Sequence, residues 1–382
     1  MRIAQLAPVY ERVPPVAYGG TELVVGLITD ELVARGHDVT LFASGDSQTA
    51  AHLRSVTPEP VRYGDIGTIR HPEWVQLANV QACFAAVAAG EFDLVHNNAG
   101  PEGLVLAATS ATPVLTTTHT AWTPETVPMW DAYPWFHHGV SESHNLTLPE
   151  RGRLAAIHHG LRVESYTFSE RPDGYLLFLG RFSPEKGPDV AVEVARRTGR
   201  RLLLAGKVDP ADSEFFETHV RPFVDDDRIR LVGEADADHK RDLLAGADGL
   251  LFPIRWDEPF GLVMIEALAS GTPVLSFARG SVPEVIEDGA TGYVLRDGDV
   301  DGLARAIDRL GALDRRHCRT EAERRFGVAA MVDRYESAFA EVLARAAARG
   351  PGATPANGPG VRSAGGDRGR GGQLVGSSGR PR

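Results

Sequence analysis

The sequence predicts an α/β protein of two domains, each built on a parallel sheet, and three observations carry that expectation. Short apolar runs alternate with amphipathic helical stretches almost throughout the chain. The alternation restarts at Tyr175, after the polar turn Arg171-Pro172-Asp173-Gly174. A length of 382 residues leaves room for two domains and a remainder, since domains run about 100–200 residues each.

In the first series Arg2–Ala7 reads as a buried strand, followed by a Gly/Pro-rich loop and a helix from Thr21 to Ala34 that ends at Gly36. Asp38–Ala43, Asp93–His96, Pro113–Thr118 and Leu154–His158 are its further strands, with helices over Pro72–Ala89, Gly103–Ala108 and Ser143–Glu150. Residues 160–174 read as a linker. The second series has strands at Tyr175–Gly180, Leu202–Ala205, Ile229–Val232, Gly249–Phe252 and Pro273–Phe277. Its helices include Pro188–Arg197, His239–Ala245, Phe260–Ala269 and Val300–Leu310. Met331–Ala348 closes the ordered part, with Met331, Tyr335, Phe339 and Val342 at helical spacing. After Arg349 the chain turns to Gly, Pro, Ser and Arg, a composition expected to stay disordered.

Composition excludes several function classes. The net charge of −11 argues against a polyanion-binding body. Residues 365–372 resemble an Arg-Gly nucleic-acid segment but read as a solvated tail, so no nucleic-acid partner is expected. Cys83 and Cys318, far apart, suggest neither a disulfide framework nor a zinc cluster. No window approaches the ~18 consecutive apolar residues of a membrane span. The first eight residues lack the apolar core of a signal peptide, so the cytoplasm is the expected location.

Three motifs converge on a diphosphate. Tyr18-Gly19-Gly20-Thr21-Glu22 lies between the first strand and the first helix, where paired glycines admit a ligand to a helix N-terminus; a flexible loop capped by Thr21 is the alternative. Gly180-Arg181-Phe182-Ser183-Pro184-Glu185-Lys186-Gly187 places two cations after the first strand of the second series, the edge at which open α/β sheets bind ligands. In Asp257-Glu258-Pro259-Phe260-Gly261-Leu262-Val263-Met264-Ile265-Glu266, Glu258 precedes a helix and Glu266 lies within it. Ile265, Ala267 and Leu268 look buried, so a carboxylate at Glu266 needs a partner. No G-x-x-x-x-G-K-[ST] loop occurs, and no G-x-G-x-x-G follows a strand, which disfavours a nicotinamide dehydrogenase.

With these motifs, and with Ala267-Leu268-Ala269-Ser270-Gly271-Thr272-Pro273-Val274 following them, the chain resembles the retaining glycosyltransferases of family 4 over about residues 1–345. The resemblance implies the GT-B fold: two facing Rossmann-like domains with parallel sheets, and a C-terminal helix packing back on the first. It places an acceptor-side domain at 1–165, a nucleotide-sugar domain at 173–327, a return to the first domain at 328–349 and a disordered tail at 350–382. It implies that Arg181 and Lys186 hold the donor diphosphate, that Glu258 contacts the transferred sugar and that Glu266 accepts from the ribose. Backbone groups of Gly261, Leu262 and Val263 would touch sugar and phosphate, Gly19 and Gly20 would close from the other domain, and His119 would stand at the reacting centre. Leu204-Ala205-Gly206-Lys207 departs from the commoner Gly-x-Gly pattern, which leaves the role of Lys207 open.

The expected activity is therefore a metal-independent, retaining transfer from a nucleoside-diphosphate sugar, needing no cofactor. UDP-glucose and GDP-mannose are the first donors suggested by the family, and the acceptor is not readable. Asp297-Gly298-Asp299-Val300-Asp301-Gly302 imitates a calcium loop, but helix capping by Asp299 is the better reading. His137-His138 and His158-His159 read as turn residues at strand ends, whereas Trp122, Trp130 and Trp135 fit either a sugar platform or a core. The competing readings are an epimerase or phosphorylase on the same fold, or a non-catalytic sugar-nucleotide-binding protein.

Overall fold

The computed structural model describes residues 1–16, 19–61, 71–120 and 123–348. The glycine-rich tail, Tyr18 and Trp122 lie outside the described residues. Twelve described strands form two six-stranded parallel sheets. The first comprises β1 (Arg2–Leu6), β2 (Asp38–Phe42), β3 (His52–Arg54), β4 (Leu94–Asn97), β5 (Val114–Thr117) and β6 (Phe136–His138), in the order β3-β2-β1-β4-β5-β6. The second comprises β7 (Tyr175–Leu179), β8 (Arg201–Ala205), β9 (Ile229–Gly233), β10 (Ala247–Phe252), β11 (Val274–Phe277) and β12 (Gly292–Leu295), in the order β12-β11-β10-β7-β8-β9.

The two orders are one pattern used twice. In each sheet the first strand of the half pairs with the fourth, β1 with β4 and β7 with β10. At such a junction the connections leave in opposite directions and open a crevice at the carboxyl ends of the strands, the usual ligand position. The central strands are short apolar runs such as Leu176-Leu177-Phe178, buried on both faces as parallel strands require.

At the β6 edge of the first sheet the strands differ from the sequence reading. Leu154–His158 is extended and apolar, but its partners run out: Arg153 makes an isolated bridge to His137, and Leu154 N–H and Ile157 N–H reach His137 O and Gly139 O. Burial of Leu154 and Ile157 explains the strand-like pattern without a ladder. The sixth strand is instead β6, and it contains His137 and His138, which are therefore buried sheet residues and not turns.

The chain crosses between the halves twice, at neighbouring points. Leu161 N–H donates to Phe326 O at 2.7 Å, and Val328 N–H donates back to Leu161 O at 2.9 Å. The last helix, Val328–Ala348, then returns to the first half. It inserts Met331, Tyr335, Phe339 and Val342 into the first core, while Arg35 and His37 pair with its Glu336. No described helix is long and apolar enough to cross a membrane.

Candidate active site

Two helix N-termini frame the cleft between the sheets. The Leu262–Ala269 helix follows Gly261 and has no side-chain cap, so the first-turn N–H groups of Leu262 and Val263 point outward at the positive end of its dipole. The Gly20–Ala34 helix of the other half is also uncapped by a side chain. The two ends approach so closely that a Cβ on Gly20 would lie 3.1 Å from Leu262 Cδ1.

A cavity of about 430 Å³ opens beside them, with Thr21, His119 and His159 on one wall and Arg181, Lys186, Trp256 and Glu258 on the other. A second space of about 200 Å³ shares Gly20, Gly180, Arg181, Leu262 and Val263 with it, then continues to Lys207, Glu234, Lys240 and Glu266. Together they make one elongated cleft at the β7–β10 junction. His119, Arg181, Lys186, Glu258, Gly19, Gly20, Gly261, Leu262, Val263 and Glu266 all line one part of it or the other. A larger hollow, about 660 Å³, lies at the opposite edge of the second sheet, around Arg200, Asp248 and Pro273, and contains none of these residues.

The loop after β7 is held by glycines whose side-chain-free backbones touch other loops. Gly187 has φ +72°, and a Cβ there would come within 2.2 Å of Pro253 O, so the Lys186 turn docks directly on the loop after β10. Gly206 has φ +147°, and its Cβ would meet Gly180 O at 1.8 Å. That contact, with Phe182 N–H donating to Lys207 O at 2.9 Å, braces the Arg181 loop. Lys207 itself lines the outer part of the cleft and pairs with Asp209 at 3.0 Å.

The charged groups are arranged in pairs. Lys186 Nζ lies 2.5 Å from Glu258 Oε2, which also accepts from Trp256 Nε1 at 2.8 Å. The same ammonium sits 5.0 Å from the centre of the Trp256 ring. Glu266, only 4% exposed, has the partners its burial demands: Lys240 Nζ at 2.5 Å and the Tyr166 hydroxyl at 3.0 Å. Burial and the neighbouring Glu266 push the Tyr166 hydroxyl pKa up, which keeps it a donor. Neither partner was visible in the sequence, because they lie 26 and 100 positions away. Arg181 pairs with Glu185 at 2.7 Å and faces Asp209 and Asp212 at 3.5 and 3.8 Å. Glu258 precedes the helix that carries Glu266 and does not belong to it, so loop geometry, and not the helical wheel, sets the separation of the two carboxylates.

The opposite wall is neutral. His119 Nε2 bonds Asn98 Oδ1 at 2.9 Å, and its ring stacks on His159 with centroids 5.3 Å apart. Burial, reinforced by His138 and His144, lowers the His119 pKa to about 3, so the ring is uncharged at neutral pH. His159 was not singled out as a site residue; in the sequence it is one of two adjacent histidines with no spacing to mark it. Glu22, buried in the first turn of its helix, has its carboxyl pushed up to about 7, mainly by burial. Of the tryptophans weighed as sugar platforms, Trp135 is core and Trp130 packs against that core. Asp299 caps the Val300–Ile307 helix, accepting from Gly302 N–H at 2.7 Å. Among the described residues no group of three or more His, Cys, Asp or Glu is placed to hold a metal ion.

Comparison with known proteins agrees with the fold. Residues 167–326 match the family model for glycosyl transferases group 1, and residues 18–146 match that for glycosyltransferase family 4. The phosphatidyl-myo-inositol mannosyltransferase of Mycobacterium leprae (strain TN) is 27% identical over 339 residues, covering 81% of this chain and 87% of the relative. Among solved structures, the sucrose-phosphate synthase of Thermosynechococcus elongatus has a TM-score of 0.75 at 22% identity, covering 90% of this chain and all (100%) of that one. Anabaena Alr3699/HepE in complex with UDP-glucose has a TM-score of 0.67 at 19% identity, covering 89% of this chain and 100% of that chain. At such identities the structural likeness is one of fold.

Proposed function

The chain belongs to the group 1, family 4 glycosyltransferases, and from that premise we propose that it transfers a hexosyl group with retention of anomeric configuration and without a metal ion. The observation that supports this most is the Lys186–Glu258 pair at the meeting point of two uncapped helix N-termini. A donor lying along the cleft would set its diphosphate between the helix ends, its sugar toward Glu258 and His119, and its ribose against Glu266.

Each group has a distinct task in that arrangement. Breaking the bond from the anomeric carbon to the diphosphate oxygen gathers negative charge on the leaving group, so donors aimed there act selectively in the transition state. A helix dipole contributes about 0.3–1 kcal/mol, whereas a lost preorganised donor costs about 2.7–4 kcal/mol, so Lys186 and Arg181 carry more of the stabilisation. Glu258, freed from Lys186 as phosphate takes the ammonium, accepts from sugar hydroxyls. His119, neutral, serves as a hydrogen-bond partner and not as an acid.

Retention is assigned to attack on the same face, the departing diphosphate assisting deprotonation of the acceptor. A retaining hydrolase would need two carboxylates about 5–5.5 Å apart across the bond, and this reading assigns no such pair, since Glu258 is taken up by sugar hydroxyls and Glu266 by the ribose. UDP-glucose and GDP-mannose head the donors to test; the relative named a mannosyltransferase supports a mannosyl group. Calorimetry with UDP, GDP and ADP in EDTA should give one nucleotide that binds and is weakened by Arg181→Ala. An inverted product by NMR, or a strict requirement for a divalent ion, would overturn the respective part of the proposal.

A further inference from the structure

We infer that Glu284 of the second half is a positioning residue for His119 of the first. The inference deepens the reading of His119 given above and rests on it for its link to the reaction. Glu284 belongs to the short Val282–Val285 helix, and its carboxylate crosses to the other half of the molecule. Oε2 accepts from Glu142 N–H at 2.8 Å, Oε1 from Ser143 N–H at 2.7 Å, and His158 Nε2 donates to Oε2 at 3.1 Å.

Both gripped segments lead directly to His119. His144, in the same short turn as Glu142 and Ser143, bonds Thr120 O through Nε2 at 2.9 Å, and Thr120 is the chain neighbour of His119. His159, the neighbour of His158, is the ring stacked on His119 at 20°. One carboxylate therefore fixes both the backbone that carries His119 and the ring that lies against it.

The root of Glu284 is tied to the donor motif. Arg325 donates to the carbonyls of Glu284 and Val285. Ser281 N–H donates to Glu258 O at 3.0 Å, and Ser281 Oγ to Phe260 O at 2.7 Å. Gly280 lies so close that a Cβ would meet Glu258 N and O at 2.4 Å. Burial alone would raise the Glu284 pKa, but the hydrogen bonds from His158, Ser143 and Glu142 outweigh it and hold the group below the usual range. A charged acceptor thus meets three donors, the strong form of such contacts. Segment 280–285 thereby relates the placement of Glu258 on one wall to that of His119 on the other.

The test uses the full chain with isotope-labelled histidines and the variants Glu284→Gln and Glu284→Ala. Glu287→Gln, at a position whose side chain is 58% exposed, serves as the control. The His119 ring signals, assigned by their loss in His119→Ala, should move in both Glu284 variants and stay in place in the control. Release of nucleoside diphosphate from UDP-glucose or GDP-mannose should fall about threefold to tenfold, no further than in His119→Ala, while the Kd for UDP or GDP changes less than about twofold, because the Glu284 carboxylate bonds Glu142, Ser143 and His158 and not Arg181, Lys186 or Glu266. An unmoved His119 signal in folded Glu284→Gln would overturn the inference. So would a Kd weakened as much as turnover, which would place Glu284 in support of the donor loop instead. The wider reading fails separately: full turnover in His119→Ala would remove His119 from the reaction whatever Glu284 does to its signal.

Discussion

The two halves share a strand order but hold their polar groups in opposite ways. Around the β7–β10 junction the second half keeps formal charges together, with Lys186 on Glu258, Lys240 on Glu266 and Arg181 among three carboxylates. The first half buries neutral polar groups. A chain of contacts at 2.8–2.9 Å runs from Gln5 through His96 and Thr117 to His138, with the Tyr335 hydroxyl joining at Thr117 from the last helix. Each histidine whose pKa is lowered, chiefly by burial, lies between His96 and His159. One frame thus supports two chemistries. In the proposed reading the charged half exchanges its internal partners for a diphosphate, and the neutral half presents hydrogen bonds without competing for that anion.

The largest effect expected from breaking this contrast is in the charged half. Lys186→Ala should lower turnover at least about a hundredfold, in line with the loss of a preorganised donor, while circular dichroism and thermal midpoint report an intact fold. Glu258→Ala should cost as much, and it also leaves Lys186 and Trp256 Nε1 without their common acceptor. Near-normal rates in either variant would mean that the charges are structural. His119→Ala, on the neutral wall, should cost about tenfold, since a neutral hydrogen bond contributes about 0.5–1.5 kcal/mol and 1.4 kcal/mol is a factor of ten. Its nucleotide affinity should not change, and a matching loss of affinity would contradict the division of labour.

How much of this was legible in the sequence follows the same contrast. Arg181, Lys186, Glu258 and Glu266 stand in short motifs at strand–helix junctions, where local sequence decides the backbone and the ligand edge is known in advance. Interactions between distant segments leave no such trace, so Lys240 and Tyr166 under Glu266, and His159 against His119, emerged only from the fold. Among the elements, apolar runs such as Leu202–Ala205 were readable because parallel strands are buried on both faces. β3 is a three-residue strand, His-Leu-Arg, with no apolar run to mark it. The Arg315–Phe326 helix was missed because its twelve residues are mostly charged, and only Cys318, Glu321, Ala322 and Phe326 are buried. Leu154–His158 shows the converse error, a strand-like pattern produced by burial alone.

Acid should separate the halves next. The buried histidines have folded pKa values below the unfolded value of about 6.5, with His119 at about 3 and His137 and His138 at about 4. Between those limits the unfolded chain binds more protons, so stability is full above about pH 6.5 and falls as pH drops. Glu22 opposes this: its folded pKa of about 7 means that stability is lost as pH rises toward 7. In the first half six histidines against one carboxylate leave a net loss on going from pH 7 to pH 5. Hydrogen exchange should show β1, β4 and β5 losing protection over that range before β7, β8 and β10. Equal loss in both sheets would show that the halves unfold as one unit and that the contrast does not reach stability.

The smallest effect sharpens the comparison most finely, because it asks whether the charged half is tuned against its own ligand. Arg181 faces Glu185, Asp209 and Asp212, more negative charge than one guanidinium neutralises. Crowding is visible at Asp212, whose pKa is raised by burial and by Glu185 despite the nearby Arg181. An incoming diphosphate must compete with these carboxylates, so removing one should help it bind. Asp209 is the suitable choice: it faces Arg181 at 3.5 Å, outside hydrogen-bond range, and its other partner is Lys207 at the rim of the cleft. Contacts between partly exposed charges contribute about 0.2–1 kcal/mol, which sets the expected gain for Asp209→Asn at up to about fivefold in affinity for the nucleoside diphosphate, shrinking as salt is added. Weaker binding in that variant would instead mean that Asp209 holds Arg181 and Lys207 in their working positions, and that the acidic cluster is a scaffold for the cations and not a competitor for them.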